Sequence, residues 1–72
     1  MKCGILKHNK QGRYGIEPHI YFTSGEPIEI QINDKWIDGR IEYSHKNSDY
    51  YFINEMKGVC IQNLQGIKAR CN

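Results

Sequence analysis

The 72-residue sequence predicts an all-β domain, on three observations. Apolar and polar residues alternate over residues 27–43 on both sides of Asn33-Asp34-Lys35, as in a hairpin with one face in a core. Short runs rich in β-branched and aromatic residues recur roughly every ten residues, separated by turn-forming residues. No stretch of helix length carries a 3.6-residue apolar period.

The first strands are expected over residues 2–7 and 13–22, the second bent around Pro18, because proline cannot donate to a ladder. Asn9-Lys10-Gln11-Gly12 joins them, with Gly12 supplying a positive φ and Gly15 a bend in the second strand. After Thr23-Ser24-Gly25-Glu26, strands follow over 27–32 and 36–43. Keeping Ile28, Ile30 and Ile32 on one face with Ile37, Ile41 and Tyr43 sets Ile32 opposite Ile37 and Ile28 opposite Ile41. A one-residue slip would turn one strand's isoleucines to water. The same register puts Glu29 across from Arg40. Gly39 falls on the inward face, so it marks a sharp bend or a close backbone approach.

Further strands are expected over 50–54, 59–62 and 67–71. His45–Asp49, Lys57-Gly58 and Gln62–Gly66 separate them, the last with the composition of a single 3₁₀ turn. Tyr43, Ile53, Ala69, Cys71 and one of Tyr21 and Phe22 are assigned to the core. Five to six short antiparallel strands, one long and bent, make a small SH3-like barrel, with an open OB-like barrel as the competing arrangement.

A chain this short forms one domain and buries only about 60% of its unfolded surface, leaving little room for a deep substrate cavity. A non-enzymatic protein is expected. No apolar run approaches the ~20 residues that span a bilayer, and Met1–Lys7 lacks the apolar stretch of a signal peptide, so the expected setting is cytoplasmic, without membrane partners. Cys3, Cys60 and Cys71 are odd in number and lack CxxC spacing, which indicates reduced thiols with no metal or cofactor. His8, His19 and His45 lie in or beside turns or at a strand start, where solvated surface histidines are expected. Gly12-Arg13-Tyr14-Gly15 matches GxxG by letter, but that phosphate-binding loop joins helices this chain lacks.

Charge is unevenly distributed. Residues 1–13 carry Lys2, Lys7, Lys10 and Arg13 without an acid, residues 14–55 have a balance of −5, and residues 56–72 add Lys57, Lys68 and Arg70. If the first and last strands pair, their cations merge into one basic face, with Arg13, Lys68 and Arg70 as phosphate partners. The same face would serve a solvated, solubilising role equally well. Trp36 shares the polar face of its strand with Asp38, Arg40 and Glu42. There it can stack on a nucleobase or a partner's side chain, or fold over the barrel's open end as a lid. An acid opposite Arg40 would neutralise it as a phosphate ligand.

The segments Thr23-Ser24-Gly25-Glu26, Ile28-Glu29-Ile30, Trp36-Ile37-Asp38-Gly39-Arg40-Ile41-Glu42-Tyr43, Tyr50-Tyr51-Phe52 and Leu64–Arg70 together resemble a family of small uncharacterised bacterial proteins. The Trp-Ile-x-Gly-Arg-Ile-Glu core is the most specific part. The resemblance implies an SH3-like fold and an origin in Gram-positive bacteria and their mobile elements, and it brings no catalytic residues. The function expected from residues and resemblance together is a small module binding nucleic acid or a nucleotide-type phosphate ligand through Arg13, Trp36, Arg40, Lys68 and Arg70. The alternatives are a factor that binds and inhibits a host protein, and an oligomer that sequesters a nucleotide signal. An exposed edge strand would allow a homodimer in each case.

Overall fold

The longest ladder of the computed structural model, which describes residues 1–17 and 20–72, joins β5 (Pro27–Ile32) to β6 (Lys35–Ser44). Asn33 and Asp34 both adopt positive φ, 50° and 64°, forming a two-residue turn whose twist suits the flanking strands. Lys35 is therefore in β6 and pairs with Ile32, which corrects the expected register: Ile30 faces Ile37, Ile28 faces Gly39 and Glu29 faces Asp38. The shift is two residues, so every side chain keeps its face. The hydrophobic pattern is blind to such a slip, and the turn decides it.

β6 continues by a ladder into β7 (Asp49–Asn54), and β7 into β8 (Val59–Ile61). β9 (Lys68–Cys71) returns beside β5 and pairs on its other side with β1 (Lys2–Ile5). The order of this sheet is β1-β9-β5-β6-β7-β8. A second sheet packs β2 (Lys7–His8), β3 (Tyr14–Glu17) and β4 (Ile20–Tyr21) in sequence order.

The expected strand over 2–7 is thus divided at Leu6 between the two sheets. Leu6 donates to Ile67 O at 2.8 Å and accepts from Gly66 N at 2.9 Å. β1 then passes close over β3, since a Cβ at Gly4 would lie 2.8 Å from Ile16 O. The bend expected at Pro18, and the assignment of His19, lie outside the described residues. Among the described residues no ladder joins the two sheets, and β1 and β8 remain edges, so nine strands form an open pair of sheets and not a closed barrel of five or six.

The core lies between the sheets. Ile28, Ile30, Ile41, Phe52 and Ala69 come from the larger sheet, and Leu6, Tyr14, Phe22 and Leu64 meet them from the other side, all buried. Burying a side chain the size of Leu6 or Phe52 is worth about 1.5–3 kcal/mol. Phe52 takes the core place expected of Ile53, which faces outward opposite Arg40 and Cys60. Tyr43 also departs from expectation, standing exposed with its ring edge-on to His45 and Tyr50. Gly39 is a close approach: a Cβ there would lie 2.5 Å from both Ile53 O and the Phe52 ring. The expected 3₁₀ turn is replaced by a β-turn in which Ile67 N donates to Leu64 O at 3.1 Å, with Gly66 at φ 88°.

Candidate functional site

The structure divides the basic residues into two groups. In the first, each cation is held by an acid. Arg40 Nε meets Glu42 Oε2 at 2.6 Å, and its Nη2 meets Glu55 Oε1 at 2.7 Å. Ser24 Oγ donates to Glu42 Oε1 at 2.7 Å, so Arg40 and Ser24 together hold the Glu42 carboxyl below its ordinary range. The partner expected for Arg40, Glu29, instead lies across the β5–β9 ladder from Arg70 and accepts from its Nη2 at 3.0 Å. The Arg70 guanidinium lies 4.0 Å from the centroid of the Trp36 ring. Trp36 is therefore half-buried on the outer face of the larger sheet, beneath Arg70, and does not cap an open barrel end. Lys57 reaches Asp38 at 3.3 Å.

These contacts account for the Trp-Ile-x-Gly-Arg-Ile-Glu pattern and the turn before β5. Gly25 N donates to Ile41 O at 2.7 Å and Ile41 N to Glu26 O at 3.0 Å, so the Thr23–Glu26 turn is bonded to β6 beside Arg40 and Glu42. Gly39 gives room to Phe52, and Arg70 covers Trp36. The pattern marks a packing unit.

In the second group, Lys2, Lys7, Lys10, Arg13, Lys35, Lys46 and Lys68 make no ion pair among the described residues. Three of them belong to the β2–β3 hairpin. Its tip is fixed by Asn9, whose Oδ1 accepts from Gln11 N at 2.9 Å and Arg13 N at 3.0 Å, while Gly12 takes φ 80°. Across the small sheet, Lys7, Gly15 and Tyr21 are successive cross-strand partners and so share one face. Arg13, two residues before Gly15, carries its guanidinium 5.7 Å from the centroid of the Tyr21 ring, and its Nη1 donates to Gln11 Oε1 at 2.7 Å. Tyr21 is 43% exposed. Lys68 lies across from Ile5, two residues before Lys7. Of the expected binding residues, then, Arg13 and Lys68 belong to the unpaired group, while Trp36, Arg40 and Arg70 belong to the packed outer face.

One cluster has no counterpart in the sequence reading. His8 is not a free surface side chain: its ring stacks on Tyr14 at 4.0 Å between centroids, and its Nε2 lies 2.9 Å from Asp49 Oδ1. Tyr14 Oη accepts from Leu64 N at 3.0 Å. Together they tie the small sheet to the start of β7 and to the turn before β9. Asp49 is 41 residues from His8, and no local periodicity signals such a contact.

The thiols do not converge. Cys3 faces Arg70 and Cys71 faces Lys2 on adjacent strands, so their side chains take opposite faces, and Cys60 lies on the far edge strand. A depression of about 840 Å³ is lined by Glu26, Glu29, Asp38 and Arg70 among others, and each acid there has a partner in Thr23, Arg70 or Lys57. A second concavity of about 500 Å³ lies over Ile5, Lys7, Gly15 and Ile16. No helix of the described residues is long and apolar enough to cross a membrane.

A family model described as Domain of unknown function (DUF5348) matches residues 3–71. No curated protein and no solved structure matches the chain.

Proposed function

The chain belongs to the DUF5348 family, a domain of unknown function, and on that premise we propose that it is a non-enzymatic binding module for the phosphates of nucleic acid or nucleotides. The cations proposed to make contact are Lys2, Lys7, Lys10, Arg13 and Lys68. The single observation that supports this reading is the sorting of cations. Arg40, Arg70 and Lys57 are matched to acids, whereas among the described residues the cations of β1, the β2–β3 hairpin and Lys68 are left without one, as are only Lys35 and Lys46, which stand apart at the β5–β6 and β6–β7 turns. A cation already paired loses much of its attraction for a phosphate, and an unpaired one keeps it. The reading also treats the fold as an SH3-like barrel opened at its edges, supported by the adjacency of first and last strands in β1-β9-β5-β6-β7.

Electrophoretic mobility of mixed oligonucleotides with the purified chain, across a salt series from about 50 mM, tests the proposal. Changing Lys7, Lys10, Arg13 and Lys68 together to Gln should abolish binding, and single changes should each reduce the salt slope by about one ion. The exposed lysines add little stability, and a circular-dichroism melt checks that changing the half-buried Arg13 leaves the domain folded. A wild-type chain that binds neither nucleic acid nor nucleotides at low salt overturns the proposal. A host-protein-binding factor then leads, and the observation favouring it is Met56, 99% exposed at the β7–β8 turn.

A further inference from the structure

Tyr21 sits where phosphate binding would become recognition of a base. Its ring stands on the same face as Lys7, with only Gly15 between their strands. Neighbouring strands lie about 4.8 Å apart, so the two residues' backbones are separated by roughly 10 Å, with one glycine between them. Gly15 is itself buried, because β4 lies close over it: a Cβ there would lie 2.8 Å from Ile20 O and 3.4 Å from Tyr21 Cβ. Nearer to the ring, Arg13 stands over it, with its charge bonded to the neutral Gln11 amide and to no acid. An exposed aromatic ring on the edge strand, with two unpaired cations on the hairpin beside it, combines the two elements by which single-stranded nucleic acid is held, a stacking surface and phosphate partners. Trp36, the other large aromatic considered for stacking, is covered by a guanidinium already engaged with Glu29.

We infer that Tyr21 is a stacking platform for one unpaired nucleobase, with Arg13 and, further across the sheet, Lys7 holding the adjoining phosphates, so that the ligand class is a single strand. This rests on the phosphate-binding reading and adds strand selectivity and a base contact to it. A base inside a duplex has both faces occupied by its neighbours and cannot lie on the ring. The ring makes no claim on the sugar, so DNA and RNA are separate arms of the test.

Fluorescence anisotropy with labelled oligo-dT, oligo-U and a duplex of equal length, at fixed low salt, reads the outcome. The wild-type chain should bind a single strand more tightly than the duplex. Tyr21→Ala should weaken single-strand binding on the order of 5- to 150-fold and leave duplex binding unchanged, and Tyr21→Phe should restore it. If Tyr21→Ala binds the single strand as wild type does, while the four-cation Gln variant loses binding, the platform falls and phosphate binding stands. If wild type binds none of the probes the platform falls, and if it also binds no free nucleotide both fall. Photocrosslinking of wild-type protein to a 5-iodouracil oligonucleotide needs no variant to fold. A crosslink mapped to Tyr21 supports the inference, and one confined to other residues overturns it.

Discussion

The Tyr14 hydroxyl accepts the backbone N–H of Leu64 across 3.0 Å, linking a strand of the small sheet to the turn that launches β9. Both residues are fully buried, so water is not at hand to replace the bond. Tyr14→Phe should therefore cost about 1–3 kcal/mol, the desolvation penalty of an unpaired buried N–H. Denaturant unfolding checks it, and an unchanged midpoint would contradict the role.

The same phenol makes stability depend on alkaline pH. Burial raises its pKa above the usual value, the nearby Asp49 adds to the rise, and the N–H bonds from Leu64 and Gln65 oppose it. The folded state then holds the proton more tightly than the unfolded one. Its contribution is complete below the unfolded value near 10 and is lost as pH rises through the higher folded value. Thermal melts between about pH 9 and 11 should fall less steeply for Tyr14→Phe than for wild type.

Gly39→Ala should be among the most damaging single changes. Its Cβ would fall 2.5 Å from Ile53 O, a backbone atom, as well as from the Phe52 ring. Overpacking of this kind costs about 1–3 kcal/mol or more. A domain of this size then melts about 4–8 °C lower for each kcal/mol. Circular dichroism melts measure it directly.

Asp34→Gly should act in the opposite direction. Asp34 holds φ 64° next to Asn33 at 50°, a conformation that suits glycine better than a residue with a Cβ. A gain of about 0.5–1 kcal/mol is expected, reduced by the extra freedom glycine brings to the unfolded chain. A melting temperature at or below wild type would show the aspartate to be better suited than its dihedral suggests.

The thiols should react in a set order with an aromatic disulfide reagent. Cys3 and Cys60 are exposed, whereas Cys71 is half-buried and its pKa is pushed up, mainly by burial. Single-cysteine variants should show Cys71 the slowest at neutral pH.

Where the sequence was legible, side-chain period carried the information. The alternation of Ile28, Ile30 and Ile32 with Ile37 and Ile41 specified a hairpin and its buried face, and Gly39 announced a close approach. Register was not legible to two residues, because such a slip preserves the face of every side chain and only the turn at Asn33-Asp34 distinguishes the alternatives. Phe52 and Ile53 were exchanged for a related reason: adjacent apolar residues leave the face undecided until β6 fixes the partner. At the candidate site, Arg13 and Lys68 could be named from charge alone. That Arg70 would spend its charge on Glu29, and that Tyr21 and not Trp36 would stand beside unpaired cations, depends on which strands become neighbours.

β9 is inserted between β1 and β5, so Lys2 finds its ladder partner in Cys71. During synthesis the first strand must wait, without any ladder partner, until Lys68–Cys71 has emerged from the ribosome. The β5–β6 hairpin can close early on local contacts. Completing the larger sheet requires a loop of more than sixty residues to close, and pairings so distant in sequence place a small β domain toward the slow, millisecond-to-second end of folding rates. The last four strand residues, Lys68–Cys71, thus decide when the molecule becomes native.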